Sequence, residues 1–225
     1  MEAIMQFLST QKSEIFQIVG LSLLVSGSAT ILGTMVGIPL GAWLGMSKQK
    51  IRRLLLQLTY TLMALPPVLA GLLIYLIFSR GGPLGILELL FTPIAMIIAQ
   101  FVLVTPIITG LSAAAVAAKE QTIFDQARSL GASNWQAVRT VISESRTGIV
   151  AAVMTGFGRA FAEVGAVMLV GGNIKDYTRV LTTSIMMETR QGNFDLAITL
   201  GIILLVISFI ISTIILRSNE DLFNI

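Results

Sequence analysis

The chain contains no cysteine and no histidine. The first absence excludes disulfides and thiol chemistry. The second removes the commonest metal ligand and the usual general base. No Gly-x-x-x-x-Gly-Lys-Ser/Thr run occurs either, so no P-loop cradles nucleotide phosphates. No catalytic residue, cofactor site or metal site is therefore expected. Charge is scarce as well: Asp, Glu, Lys and Arg make up 12% of the 225 residues, whereas a soluble domain carries about 25%. Met1 to Thr10 lacks a basic n-region and a small-residue cleavage site, and is not read as a signal peptide.

What fills the chain instead is apolar sequence, 55% of it. Ile15 to Ser47, Leu54 to Ser79, Leu89 to Ala118 and Leu196 to Leu216 hold no charged residue at all. Thr147 to Ile174 holds only Arg159 and Glu163. A helix needs roughly 20 mostly apolar residues to cross the hydrocarbon core, and all five stretches are long enough. The expected fold is all-α: a polytopic transmembrane bundle of about five spans, forming one domain over residues 19–216. An odd number of spans puts the ends on opposite sides, and basic residues choose the orientation. With the N-terminus outside, the inner segments hold nine Lys and Arg and the outer ones five. N-out, C-in is the expected topology.

Local patterns mark the spans. Gly33, Gly37, Gly41 and Gly45 recur every four residues and form one helix face on which another backbone can approach closely. That face serves packing within the chain or a contact between subunits. Leu65-Pro66-Pro67 interrupts span two, as a simple bend or as a hinge beside a pathway. Thr92-Pro93 reads as an N-cap and first helical residue opening span three, and Gly171-Gly172-Asn173 closes span four. The outer segment from Asn173 to Asp195 carries a short helical pattern at Leu181, Ile185 and Glu188. It suits a helix at the interface, a docking surface or a flap.

The segment between Lys119 and Arg146, on the expected inner side, is the most informative. Ile123, Phe124, Ala127 and Leu130 make an apolar stripe that Gly131 terminates. Ser133-Asn134-Trp135-Gln136 is a capping box that starts a new helix, with Trp135, Val138 and Ile142 as its apolar face. This helix over Ser133 to about Ile142 either packs on the bundle ends or inserts into a partner.

These residues carry a resemblance. Asp125-Gln126-Ala127-x-x-x-Gly131, followed by Val141, is similar to the cytoplasmic loop of type I ABC importer permeases. Asp125 stands where Glu is usual, Gln126 where Ala is usual, and Ser143-Glu144 where Leu-Pro is usual. The block from Gly156 to Ala166 resembles permeases for molybdate, sulfate and tungstate. Gly171-Gly172-Asn173-Ile174 and Thr182-Thr183-Ser184-Ile185 look most like tungstate permeases. The resemblance implies a permease in a bacterial or archaeal cell membrane that lets an oxyanion through. It implies a homodimer, two ATP-binding cassette ATPase subunits and an extracytoplasmic substrate-binding protein as partners. It also implies that Asp125, Ala127, Gly131, Ser133, Trp135 and Val138 form the coupling element that fits a groove in the ATPase.

Arg159 and Glu163 lie inside span four, where each costs about 2.5–3.5 kcal/mol on insertion scales. Their i, i+4 spacing lets them neutralise each other. They are either a structural pair or, with Pro66 and Pro67, part of a path or gate. The rival function, an ion-gradient-driven transporter or channel without an ATPase, would place ionisable residues in several spans. A membrane-embedded enzyme would need a reactive cluster that no span contains.

Overall fold

A computed structural model of the chain describes residues 12–217. The N-terminal decapeptide discussed above lies outside those residues. Among the described residues the chain is helical throughout, with α1 (Lys12–Met46), α2 (Ile51–Met63), α3 (Pro67–Phe78), α4 (Pro93–Ser129), α5 (Asn134–Glu144), α6 (Arg146–Phe161), α7 (Gly165–Gly171), α8 (Leu181–Gln191) and α9 (Phe194–Arg217), and a short 3-10 turn at Gly85–Leu87. In lipid, a helix satisfies its own backbone, so apolar sequence of this length takes that form.

Three helices are long and apolar enough to cross a membrane: Glu14–Met46, Pro93–Ser129 and Phe194–Ile215. Two further pairs, α2 with α3 and α6 with α7, pass the same test together but are bent by 97° and 55°. Counting each bent pair as one span gives five. Pro39 and Pro106 are accommodated inside α1 and α4 without a break. The tandem Pro66-Pro67 is not. Proline disfavours helical geometry in the residue before it, so Pro66 is extended (φ −59°, ψ 127°) and Pro67 opens a new helix. The break at Ala162–Val164 contains no proline, and nothing in the sequence pattern of span four announces it.

The residues form two compact units. One comprises the described residues up to Ala29, Pro66–Val102 and Gly158–Ile211. Its buried centre includes Val25, Met96, Val167, Val170, Leu181 and Thr183. Small residues bring backbones together here. A Cβ built on Gly71 would lie 2.7 Å from Ala166 Cα, and one on Gly165 2.9 Å from Val68 Cγ2. The second halves of the two broken spans, α3 and α7, are thus in backbone contact. Thr92 caps α4 through Oγ1, which accepts from the Ala95 N–H at 3.4 Å. Gly172 closes α7 in the left-handed region. The helix expected near Leu181 is α8, but Leu181, Thr182, Thr183 and Ser184 are buried. Its first turn is part of the packed unit rather than a surface layer. The loop before it is held by Thr178, whose hydroxyl accepts from the Ile174 N–H at 2.9 Å and donates to the Gly171 carbonyl at 2.5 Å. Glu14 of α1 pairs with Lys175 at 3.1 Å and with Arg179 at 3.4 Å.

The other unit comprises Thr30–Leu65, Leu103–Phe157 and the described residues from Ser212. Its spine is the glycine face of α1 laid on α4. A Cβ on Gly33, Gly37, Gly41 or Gly45 would meet Val104, Ile108, Thr109 or Val116 at 3.2, 3.0, 2.6 and 2.8 Å. Gly156 makes the same kind of approach from α6 to Ile108 and Val104. Next to it Ala42, Val116, Val141 and Ile149 form a core, flanked by Ile38, Met46, Ile123, Phe124 and Ile142. All nine basic residues assigned above to the inner side belong to this unit, and all five assigned to the outer side belong to the first.

Candidate functional site

The segment after α4 has the local chemistry that its residues dictate. At Gly131 (φ +88°) the chain turns left-handed. The Ala132 N–H reaches the Ala127 carbonyl at 3.0 Å and the Gly131 N–H reaches Arg128 at 3.0 Å. This pair of bonds is a Schellman motif, in which glycine avoids the Cβ clash. Ser133 then caps α5: its Oγ accepts from the Gln136 N–H at 3.3 Å while Gln136 Oε1 accepts from the Ser133 N–H at 2.7 Å. Both orphan donors of the capping box are satisfied. At the far end the Lys119 ammonium donates to the Glu144 carbonyl at 2.6 Å, and the buried Ser145 hydroxyl donates to Val141 at 2.8 Å.

The buried face of α5 differs from the one read off the sequence. Ala137 and Val141 are fully buried, and Val138 is half-buried. Trp135 is 74% exposed and Leu130 is 89% exposed. A helix this short has room for one packed stripe, and Ala137 and Val141 (i, i+4) occupy it. Leu130 lies next to the Schellman turn, past the last residue whose side chain faces the core. The result is a short helix anchored on α1, α4 and α6 with a tryptophan turned outward. Asp125, Gly131 and Ser133 are also exposed and Ala127 half-buried, so the six residues expected to form the coupling element lie on one continuous helix–turn–helix segment, four of them exposed.

The second candidate is the break between α6 and α7. Arg159 lies in the last turn of α6 and Glu163 in the break, so the two are not on one continuous helix face. The pair nevertheless forms: Arg159 Nη1 donates to Glu163 Oε2 at 2.6 Å. Glu163 Oε1 accepts from the Ala166 N–H at 3.0 Å, satisfying a donor at the start of α7. The Glu163 carbonyl accepts from Thr182 Oγ1 of α8 at 2.8 Å. Gln100 of α4, 3% exposed, donates through Nε2 to the Ala160 carbonyl at 2.9 Å, just before the break. Interrupting a helix inside a membrane frees backbone groups that must find partners, and Glu163, Thr182 and Gln100 supply them. Gln100 and Thr182 were not visible as site residues in the sequence. A lone glutamine in an otherwise apolar span was the available signal. Pro66 and Pro67 lie at the corresponding break before α3, which touches α7 through Gly71 and Gly165.

Comparison with known proteins fits this arrangement. The family model for the binding-protein-dependent transport system inner membrane component matches residues 37–220. A tungstate uptake system permease protein of Peptoclostridium acidaminophilum is 42% identical over 219 residues, covering 97% of this chain and 96% of that protein. A second tungstate uptake system permease protein, from Campylobacter jejuni, is 38% identical over 160 residues, 71% of this chain and 67% of the relative. A molybdenum transport system permease protein of Azotobacter vinelandii is more distant, 26% identical over 173 residues, 73% and 76% of the two chains. With its apolar spans, its capped helix–turn–helix segment and these matches, the chain belongs to the family of binding-protein-dependent transport system inner membrane components, the permease subunits of ABC importers, and is a multi-pass membrane transport protein rather than an enzyme.

Proposed function

We propose that this chain is the permease subunit of an ATP-driven importer for tungstate. Two copies form the path, two separate ATPase chains drive it, and an extracytoplasmic binding protein delivers the anion. The observation that carries the substrate is the near full-length identity of 42% to one tungstate permease, against 26% to a molybdenum permease. Most of the affinity is assigned to the binding protein, because a path that held the anion tightly would not release it.

The coupling role falls to α5, with Asp125, Ala127, Gly131, Ser133, Trp135 and Val138. The exposed Trp135 is suited to a groove in the ATPase, since buried aromatic anchors dominate interface energetics. A push on α5 is transmitted through Val141 to Ala42 of α1, Val116 of α4 and Ile149 of α6, all in one core. Closure of the ATPases would draw the two α5 helices together and re-orient the spans behind them. Arg159, Glu163, Pro66 and Pro67 mark the path or gate at the two breaks. The N-terminus lies outside and the C-terminus inside. This is supported by the excess of Lys and Arg on the inner segments, nine against five.

Reconstitution with the cognate ATPase and binding protein in proteoliposomes tests the proposal. Tungstate uptake should require ATP and survive collapse of proton and sodium gradients. Uptake that needs a gradient and no ATP would establish the rival ion-gradient mechanism. Uptake of molybdate or sulfate in preference to tungstate would overturn the substrate assignment.

A further inference from the structure

The charged pair at the second break is lopsided. Glu163 is 4% exposed and Arg159 36%. Both carboxylate oxygens of Glu163 are engaged, Oε2 by Arg159 at 2.6 Å and Oε1 by the Ala166 N–H at 3.0 Å. Its carbonyl is held by Thr182 at 2.8 Å. The carboxylate therefore has a holder other than Arg159, while the arginine has the more accessible end of the pair. A guanidinium carries five N–H donors, and the ion pair is made through one nitrogen. These two are the only charged residues in the five apolar stretches.

We propose that Glu163 is the resident counter-ion of Arg159, and that the oxyanion in transit competes with it for the guanidinium. Glu163 thereby sets how weakly the path holds its anion. The inference rests on the reading of this chain as an oxyanion permease. The arginine and the fixed carboxylate together carry no net charge. A tetrahedral dianion approaching the exposed end meets N–H donors but little net positive potential. When the guanidinium turns to the anion, the carboxylate stays on the Ala166 amide and the α6–α7 break keeps its shape. When the anion leaves, the arginine returns to a partner that has not moved. An uncompensated arginine at this depth would instead hold a dianion too long for conduction, which requires binding weak enough to leave.

Thermal unfolding of the purified full-length chain, titrated with tungstate, with chloride as the ionic-strength control, tests this. In Glu163→Gln the amide oxygen can still accept from Ala166 but the negative charge is gone. The tungstate dependence of its unfolding temperature should report an affinity about tenfold tighter than wild type, at the low end of usual coupling between competing ligands. The double variant R159Q/E163Q should show no tungstate response. A purely structural pair would lower the starting unfolding temperature of E163Q and leave its tungstate response equal to that of wild type or of the double variant; either equality overturns the proposal. If E163Q does not accumulate, E163D serves, because its shorter side chain cannot reach Arg159 and Ala166 together. A tungstate response stronger than wild type supports the exchange, and none overturns it. ATP-driven uptake by the wild-type complex is measured separately. Its absence would defeat the functional reading, whereas normal uptake with no altered response in E163Q and E163D would defeat only the counter-ion role.

Discussion

The glycine face of α1 yields a graded prediction. Replacing glycine by alanine inside a helix ordinarily stabilises it by about 0.5–1 kcal/mol. Forcing an extra carbon into a well-packed contact costs about 1–3 kcal/mol. At Gly27 an added Cβ meets nothing within 4 Å, so Gly27→Ala should be neutral or slightly stabilising. At Gly33 the nearest atom is a Val104 methyl 3.2 Å away, a tight contact that a shift of a few tenths of an ångström relieves, and the two effects should nearly cancel. At Gly41 the obstacles are the Thr109 carbonyl at 2.6 Å, Ser112 Cβ at 2.8 Å and the Ala113 amide nitrogen at 3.1 Å. Two of these are backbone atoms and can move only if α4 moves. Gly41→Ala should therefore lose about 1–2 kcal/mol net. In a chain of this size that lowers the unfolding temperature by roughly 2–8 °C. The assay is thermal unfolding of the four purified single variants G27A, G33A, G41A and G45A in one detergent, with G45A expected near G41A because its closest contacts are at 2.8–2.9 Å. If G41A unfolds at the same temperature as G27A, the close approach of α1 to α4 is wrong.

Other outcomes follow from the same structure. Trp135→Asp should abolish co-purification of the ATPase while the chain still inserts, since Trp135 is 74% exposed and contributes little to the core; normal assembly and transport of this variant would remove α5 from the coupling role. Single cysteines in this cysteine-free chain report topology: Ser143→Cys should resist an impermeant thiol reagent added outside intact cells, and Asp176→Cys should react. Arg159→Gln or Glu163→Gln alone should reduce folded yield, since each leaves one charge of a half-buried pair without its partner, and the double change should restore much of it; equal yields for all three variants and wild type would place the pair in water. Gly71→Ala should lower the unfolding temperature, because the added Cβ would lie 2.7 Å from Ala166 Cα and overpacking costs about 1–3 kcal/mol; an unfolding temperature equal to wild type would separate α3 from α7.

Much of the architecture was legible in the residues because it depends on properties local in the chain. Hydrophobic length alone marks the three uninterrupted candidate spans and the two bent pairs that bring the count to five if each is one span, since the bilayer imposes a minimum apolar run. The Schellman turn at Gly131 and the capping box at Ser133 are contacts among residues at most five apart, so their partners are written next to them. The same holds for Thr92 before Pro93. The glycine period on α1 told that some helix comes close, because period four places all four glycines on one face.

Which helix comes close is a different kind of fact. Nothing near Gly41 in sequence names Thr109 or Ala113; that partnership is settled only when α1 and α4 pack. The break at Ala162–Val164 was hidden for the same reason. It has no proline, and it persists because Thr182 and Gln100, distant in sequence, take up the carbonyls of Glu163 and Ala160 at the interrupted helix. The orientation of Trp135 likewise depended on which stripe of α5 found the core, and Ala137 and Val141 took it. Sequence by itself determined that this chain lives in a membrane, where the helices marked by proline, glycine or a capping box start and stop, and which surfaces permit close packing. Those properties follow from solvation and from hydrogen bonds over a few residues. The tertiary structure decided which of those surfaces meet, where an unforced break can be stabilised, and which end of the Arg159–Glu163 pair is left accessible, because each depends on partners brought together from far along the chain.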